Sequence, residues 1–227
     1  MFGLRVIAGS AKGRRLLPVP GEGTRPITDR VKESLFDILG GDVEGSRFLD
    51  LFAGTGSVGI EALSRGAERA VFVDSARKAI ETVRRNLQIT GLADRAEVVQ
   101  SDAFRFLERE AGSGAYDYVY VAPPQYRGLW SRALLALDVG DLLAPDGAVI
   151  VQIYPKEYHA ARLERLRLAD ERRYGSTLLL FYQQAKADDD MPDEASSGTA
   201  AGAIPSERGR PRRVTAVERH PRAGQHG

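Results

Sequence analysis

The run Phe48-Leu49-Asp50-Leu51-Phe52-Ala53-Gly54-Thr55-Gly56-Ser57-Val58-Gly59 constrains the fold more than any other part of the chain. Its apolar start, FLDLF, has the length and composition of a buried strand. Ala53-Gly54-Thr55-Gly56 is a turn of residues without bulk. From Val58 the apolar positions Val58, Ile60, Ala62 and Leu63 take up a helical spacing that stops at Gly66. A strand, a tight glycine turn and a helix N-terminus form a cradle for a nucleotide-like ligand. Glycine lets backbone approach the ligand, and the first N–H groups of the helix have no partner within it.

Gly54, Gly56 and Gly59 satisfy the G-x-G-x-x-G spacing of dinucleotide-binding turns. Two acids bear on which cofactor is meant. Asp50 lies inside the strand, ahead of the first glycine. A carboxylate there suits the ammonium group of a methionine moiety and would repel a pyrophosphate, which points to S-adenosyl-L-methionine. Asp74 ends the next apolar run, Ala70-Val71-Phe72-Val73, where it suits two ribose hydroxyls in either case. The glycines alone leave an NAD-dependent oxidoreductase open as an alternative.

The rest of the chain supplies the setting. Residues 4–9 and 14–19 read as two short strands about the Ser10–Gly13 turn. Thr28 or Asp29 caps a helix to about Leu39, with Val31, Leu35, Ile38 and Leu39 on its apolar face and Arg30, Lys32 and Glu33 on others. After the glycine turn, strands are expected at 69–74, 96–100, 116–121 and 148–153. Helices are expected from Ser75 to about Gly91, after Ser101-Asp102, from Leu129 to Leu143 and from Glu157 to Leu168. A hairpin of 171–174 and 177–182 closes the pattern. Alternating strands and helices predict an α/β fold, a mostly parallel sheet with helices on both faces. Three segments follow: a basic hairpin and helix over 1–45, a nucleotide-binding domain over 46–184, and a tail over 185–227. The tail, acidic at first and then arginine-rich with almost no aliphatic residues, reads as disordered.

Ligands on such sheets bind at the carboxyl ends of the strands. The turns expected to converge are Ala53–Gly56, Asp74, Asp102 and Ala122–Tyr126. Asp102, with the backbone of Ala103, suits an adenine edge. Pro123 and Pro124 directly after a buried strand stop sheet bonding and fix the chain direction. Their carbonyls are then free for a substrate N–H, and Tyr126 and Trp130 offer surfaces on which a base can stack.

Composition narrows the chemistry. Without cysteine the chain has no disulfide, thiolate metal site or cysteine nucleophile, which fits a reducing cytoplasm. Three histidines, two of them in the tail, argue against a histidine metal site. No run is long and apolar enough to span a membrane. Overall net charge is only +1, but residues 1–32 carry a local net of +5. Arg5, Lys12, Arg14, Arg15, Arg25 and Arg30 are placed to track RNA phosphates.

Three stretches together resemble the RsmD family of bacterial methyltransferases. They are Arg5-Val6-Ile7-Ala8-Gly9 with Lys12-Gly13-Arg14, then Thr24-Arg25-Pro26-Ile27-Thr28-Asp29-Arg30-Val31-Lys32-Glu33-Ser34-Leu35-Phe36, then Leu49–Gly56. The resemblance runs from about Leu4 to Tyr182. It implies a class I (Rossmann-like) methyltransferase with a seven-stranded sheet, S-adenosyl-L-methionine as donor, and a guanine N2 of 16S ribosomal RNA as acceptor. It also implies a small-subunit assembly particle as substrate. By position, Asp50, Phe52, Gly54 and Gly56 match the cofactor loop, Asp74 the ribose acid and Asp102 the adenine contact. The turn after the fourth strand departs from the family, which usually reads Asp-Pro-Pro followed by Tyr or Phe. Here Ala122 takes the acid's place and Gln125 the aromatic's, with Tyr126 one step later. The expectation is a monomeric cytoplasmic enzyme in which Pro123, Gln125, Tyr126 and the Ala122 backbone position the amine. A catalytically silent RNA-binding relative is the alternative that the altered turn keeps open.

Overall fold

The structure, a computed structural model, describes residues 4–21 and 27–185. The tail beyond Ala185 and the Thr24-Arg25-Pro26 part of the second motif, Arg25 included, lie outside the described residues. The described residues belong to one compact unit.

Seven strands form one sheet in the order β3-β2-β1-β4-β5-β7-β6. They are β1 Arg47–Asp50, β2 Arg69–Asp74, β3 Ala96–Gln100, β4 Tyr116–Val121, β5 Leu143–Ile153, β6 Leu166–Tyr174 and β7 Thr177–Gln184. β1 to β5 pair in parallel, and β7 inserts antiparallel between β5 and β6. The expected seven-stranded, mostly parallel sheet with a closing hairpin is therefore present. Side chains alternate between two buried clusters because successive strand residues face opposite ways. Phe48, Phe72, Tyr120 and Ile150 enter one cluster, while Leu49, Val71, Val119 and Val149 enter the other. The first is shared with α1 Asp29–Leu39, α2 Ser57–Ser64 and α3 Arg77–Thr90, the second with α4 Ala103–Glu110 and α5 Leu129–Gly140.

Four expectations need correction. The N-terminal hairpin holds a single antiparallel bridge, Arg5 to Arg15, and no regular strands. Its backbone is instead fastened to α2: Glu61 accepts from Ile7 N at 2.8 Å and Ala8 N at 2.9 Å, and Ser64 Oγ from Ala11 N at 2.9 Å. Gly9 lies so close to α2 that a Cβ there would stand 1.8 Å from the Ser64 carbonyl oxygen. Lys32, expected off the apolar face of its helix, lies in the core. It is fully buried, 3.4 Å from Glu61 Oε2, and donates to the Arg5 carbonyl at 2.6 Å. The helix expected from Glu157 to Leu168 is a short 3₁₀ turn, Pro155–Glu157, then irregular chain entering β6. The buried Asp138 carboxylate on α5 accepts from Glu164 N, Arg165 N and Leu166 N at 2.6, 2.9 and 2.7 Å. Those N–H groups are thereby lost to any helix. Finally, Trp130 is buried, its ring 6.3 Å from that of Tyr158 and 4.8 Å from that of His159, so it offers no stacking surface.

Candidate functional site

The turns after β1 to β4 leave the sheet at one end, and the parallel registers bring them side by side. Asp50 is paired with Phe72 and Tyr120, and Asp74 with Gln100. After β1 the chain runs through Gly54 at φ 52° and Gly56 at φ 73°, both in the left-handed region that glycine tolerates, and Gly56 then caps α2. A Cβ on Gly54 would meet nothing within 4 Å, so backbone lies open to a ligand there. Gly59, the third glycine of the fingerprint, has a different reason: a Cβ on it would fall 2.4 Å from Phe72 Cε1. It lets α2 settle on β2. Phe52 is half-buried beside this loop.

Asp50 is buried, and its Oδ2 accepts from Gly59 N at 3.1 Å, in the first turn of α2. Burial pushes its carboxyl from 3.8 to about 7; the Gly59 bond opposes the shift and the nearby charge of Asp74 adds to it. A buried carboxyl poised this way has the chemistry to pair with a cation. The same site fits a pyrophosphate badly. Asp74 is half-buried and binds the loop it faces, accepting from Gly54 N at 2.9 Å and Ala76 N at 2.8 Å. A carboxylate has about four acceptor positions, so capacity for hydroxyl donors remains. Asp102 is exposed and caps α4 through Oδ1, which accepts from Phe104 N and Arg105 N. Oδ1 makes both bonds, and Ala103 begins the helix behind it.

At the fourth strand end, Ala122 and Pro123 are half-buried, Pro124 and Gln125 exposed. Tyr126 is 70% exposed. Glu157, which the sequence did not single out, accepts from Tyr126 N at 2.7 Å. Nothing local signals that contact, since the two residues come from different loops. On the arm, Lys12, Arg14, Arg15 and Arg30 are exposed, and Arg5 pairs with Asp29 at 3.0 Å. Among the described residues no group of His, Cys, Asp or Glu has the arrangement of a metal site, and no helix is long and apolar enough to cross a membrane.

A second residue that sequence reasoning missed is Asn86 on α3. Its Oδ1 accepts from Leu17 N at 2.7 Å, and its Nδ2 donates to the carbonyls of Leu17 at 3.1 Å and Thr55 at 2.9 Å. One buried side chain thus ties the arm to the glycine loop.

A family model described as conserved hypothetical protein 95 matches residues 4–183. YlbH of Bacillus subtilis is 41% identical over 186 residues, covering 80% of this chain and 99% of YlbH. Ribosomal RNA small subunit methyltransferase D of Haemophilus influenzae is 33% identical over 181 residues, 79% of this chain and 93% of that protein. Among solved structures, yhhF of Escherichia coli superposes with a TM-score of 0.70 at 33% identity, covering 80% of this chain and 98% of yhhF.

Proposed function

The chain belongs to the RsmD family, and on that premise we propose that it methylates 16S ribosomal RNA, at the exocyclic N2 amine of a guanine, with S-adenosyl-L-methionine as donor. The reading is carried by the convergence of Asp50, Asp74, Asp102 and the Pro123-Pro124 turn at one end of four parallel strands. Bound S-adenosyl-L-methionine supplies a methyl group already activated on a sulfonium. The residues present fit that cofactor: an open glycine backbone at Gly54, and a buried carboxyl at Asp50 that gains from a cation.

In this reading Asp50 takes the ammonium group, Asp74 the ribose hydroxyls, and Asp102 with the Ala103 backbone the adenine edge, with Phe52 flanking the loop. The amine needs no strong base beforehand. The Pro123 carbonyl and Gln125 aim its lone pair, Tyr126 stacks on the base, and Ala122 leaves the strand end open. Most of the acceleration then comes from positioning and fixed dipoles. Lys12, Arg14 and Arg15, with Arg5, Arg25 and Arg30, hold flanking phosphates. The substrate is a small-subunit assembly particle, and the enzyme acts as a cytoplasmic monomer. Asp50 also argues against the NAD alternative, because no pyrophosphate gains from a buried carboxyl at the base of its loop.

The test is transfer of labelled methyl to 16S RNA and to assembly particles from cells lacking this protein, followed by mass mapping of the modified nucleoside. N2-methylguanosine at one position is expected. RNA binding without any methyl transfer would leave the silent RNA-binding alternative in its place.

A further inference from the structure

The side chains of Ala122, Pro123 and Pro124 offer the amine no acceptor, and Gln125 is an exposed neutral amide. A carboxylate nevertheless reaches this turn from the segment after β5. Glu157 ends the Pro155–Glu157 turn. The next two residues, Tyr158 and His159, rest on the buried Trp130 of α5. So anchored, Glu157 Oε2 accepts from Tyr126 N at 2.7 Å. Tyr126 holds φ 60°, a left-handed conformation unfavourable for an aromatic residue, and its exposed ring lies 6.0 Å from that of Tyr154. The Glu157 bond helps to keep it so. The other oxygen, Oε1, is withdrawn from solvent and is the one buried side-chain polar atom among the described residues without a hydrogen-bond partner. Leaving a carboxylate oxygen so forfeits its hydration for nothing, and such an atom calls for a reason, of which a catalytic role is one.

We propose that Glu157 is a catalytic residue of the methyl-transfer site: with Oε2 engaged by Tyr126, Oε1 accepts an N–H of the exocyclic amine held at the turn and takes its proton. This rests on the methyltransferase reading above. The nitrogen lone pair forms the new N–C bond while the S–C bond breaks and its electron pair stays on sulfur. The nitrogen, then cationic, gives one proton to Oε1, and the resulting carboxylic acid returns it to solvent. An amide such as Gln125 can accept a hydrogen bond but cannot take up that proton near neutral pH.

The experiment compares full-length wild type, Glu157→Gln, Gln125→Ala and the double variant Glu157→Gln/Ala122→Asp in single-turnover methylation. Adenosylhomocysteine affinity and melting temperature are measured alongside. Glutamine keeps an oxygen for Tyr126 N and lacks only the basic Oε1. Glu157→Gln is therefore expected to lower the transfer rate about 10²-fold or more with cofactor affinity and melting temperature unchanged. Gln125→Ala is expected to cost less than that. Ala122→Asp, which returns a carboxylate to the turn, should restore much of the loss. A wild-type rate in Glu157→Gln would overturn the proposal, leaving Glu157 a strut for Tyr126. So would a fall that follows lost cofactor affinity or stability, or one that Ala122→Asp does not restore. A wild type that transfers no methyl to the RNA overturns the proposed function itself, whereas the other outcomes leave that function standing.

Discussion

Asp50 concentrates two demands in one carboxyl. Burial favours its neutral form, and a cationic ligand needs it ionised. Its value is 3.8 in the unfolded chain and about 7 in the folded one. Between those values the folded state keeps a proton that the unfolded state has released. This group's contribution to stability therefore falls as pH rises from about 4 to about 7. Ligand binding runs the other way. An ammonium beside Asp50 draws the carboxyl back to its charged form, so binding near pH 7 should release protons, and affinity should drop as pH falls below 7. Asp50→Asn should remove that proton release and cost about 1.5–3 kcal/mol of binding as a charge-assisted bond is lost. Calorimetry with adenosylhomocysteine in two buffers of different ionisation enthalpy reads both. An Asp50→Asn protein that releases as many protons as wild type would show that another group titrates. Asp50's place in a strand ahead of a glycine turn was legible in the sequence. Its bond to Gly59 N was not, because only the fold of α2 back against the end of β1 brings the two together.

At the scale of elements, the sequence was most legible where a segment's own pattern decides its structure. β1, β2 and β4 are apolar runs between turn residues, and α1 and α3 carry helical spacing with clear stops at Gly40 and Gly91. It was least legible where a distant side chain decides. Asp138 takes three backbone donors from 164–166 and so excludes a helix that local spacing favours. Lys32 reads as lying off the apolar face because α1 alone gives no hint of the carboxylate waiting on α2. The Lys32–Glu61 pair is wholly buried, and Arg65 Nε reaches Glu61 at 2.9 Å. Burial holds the Lys32 ammonium below its ordinary range, against the pull of Glu61. Replacing Glu61 strands that charge and weakens the hold on Ile7 N and Ala8 N. Glu61→Gln should destabilise the fold by about 3–5 kcal/mol, read as a lower urea midpoint with an unchanged slope. The pair Lys32→Met/Glu61→Gln should recover part of the loss, since no charge is then left buried. A single variant as stable as wild type would mean that the pair contributes nothing net.

Over the whole molecule, the N-terminal arm and the C-terminal tail both carry arginines, but the arm sets them among Leu4, Val6, Ile7, Leu16, Leu17 and Val19, whereas the tail has few aliphatic residues. Val6, Leu16 and Val19 of the arm are at most 6% exposed, and Val6 and Leu16 belong to the same cluster as Phe48 and Phe72. At about 1.5–3 kcal/mol for each large apolar side chain, the three together approach the net stability of a typical domain, about 5–15 kcal/mol. Removing the arm would also leave Glu61, Ser64 and Asn86 buried without their backbone partners, a further cost at each site. The segment that carries the exposed basic residues of the arm is thus built into the core beneath the glycine loop. The described residues end at Ala185, and the sequence beyond them has too few aliphatic residues to form a core. Two truncations should therefore behave oppositely. A chain beginning at Ser46 should fail to unfold cooperatively and should not bind adenosylhomocysteine, even though it keeps every residue proposed to touch the cofactor. A chain ending at Lys186 should keep the melting temperature, cofactor affinity and methylation rate of the full protein. Thermal unfolding and calorimetry on the two distinguish them. A folded, cofactor-binding protein starting at Ser46 would show that the arm is an appendage after all, and lost stability on removing the tail would mean that it has a place in the fold.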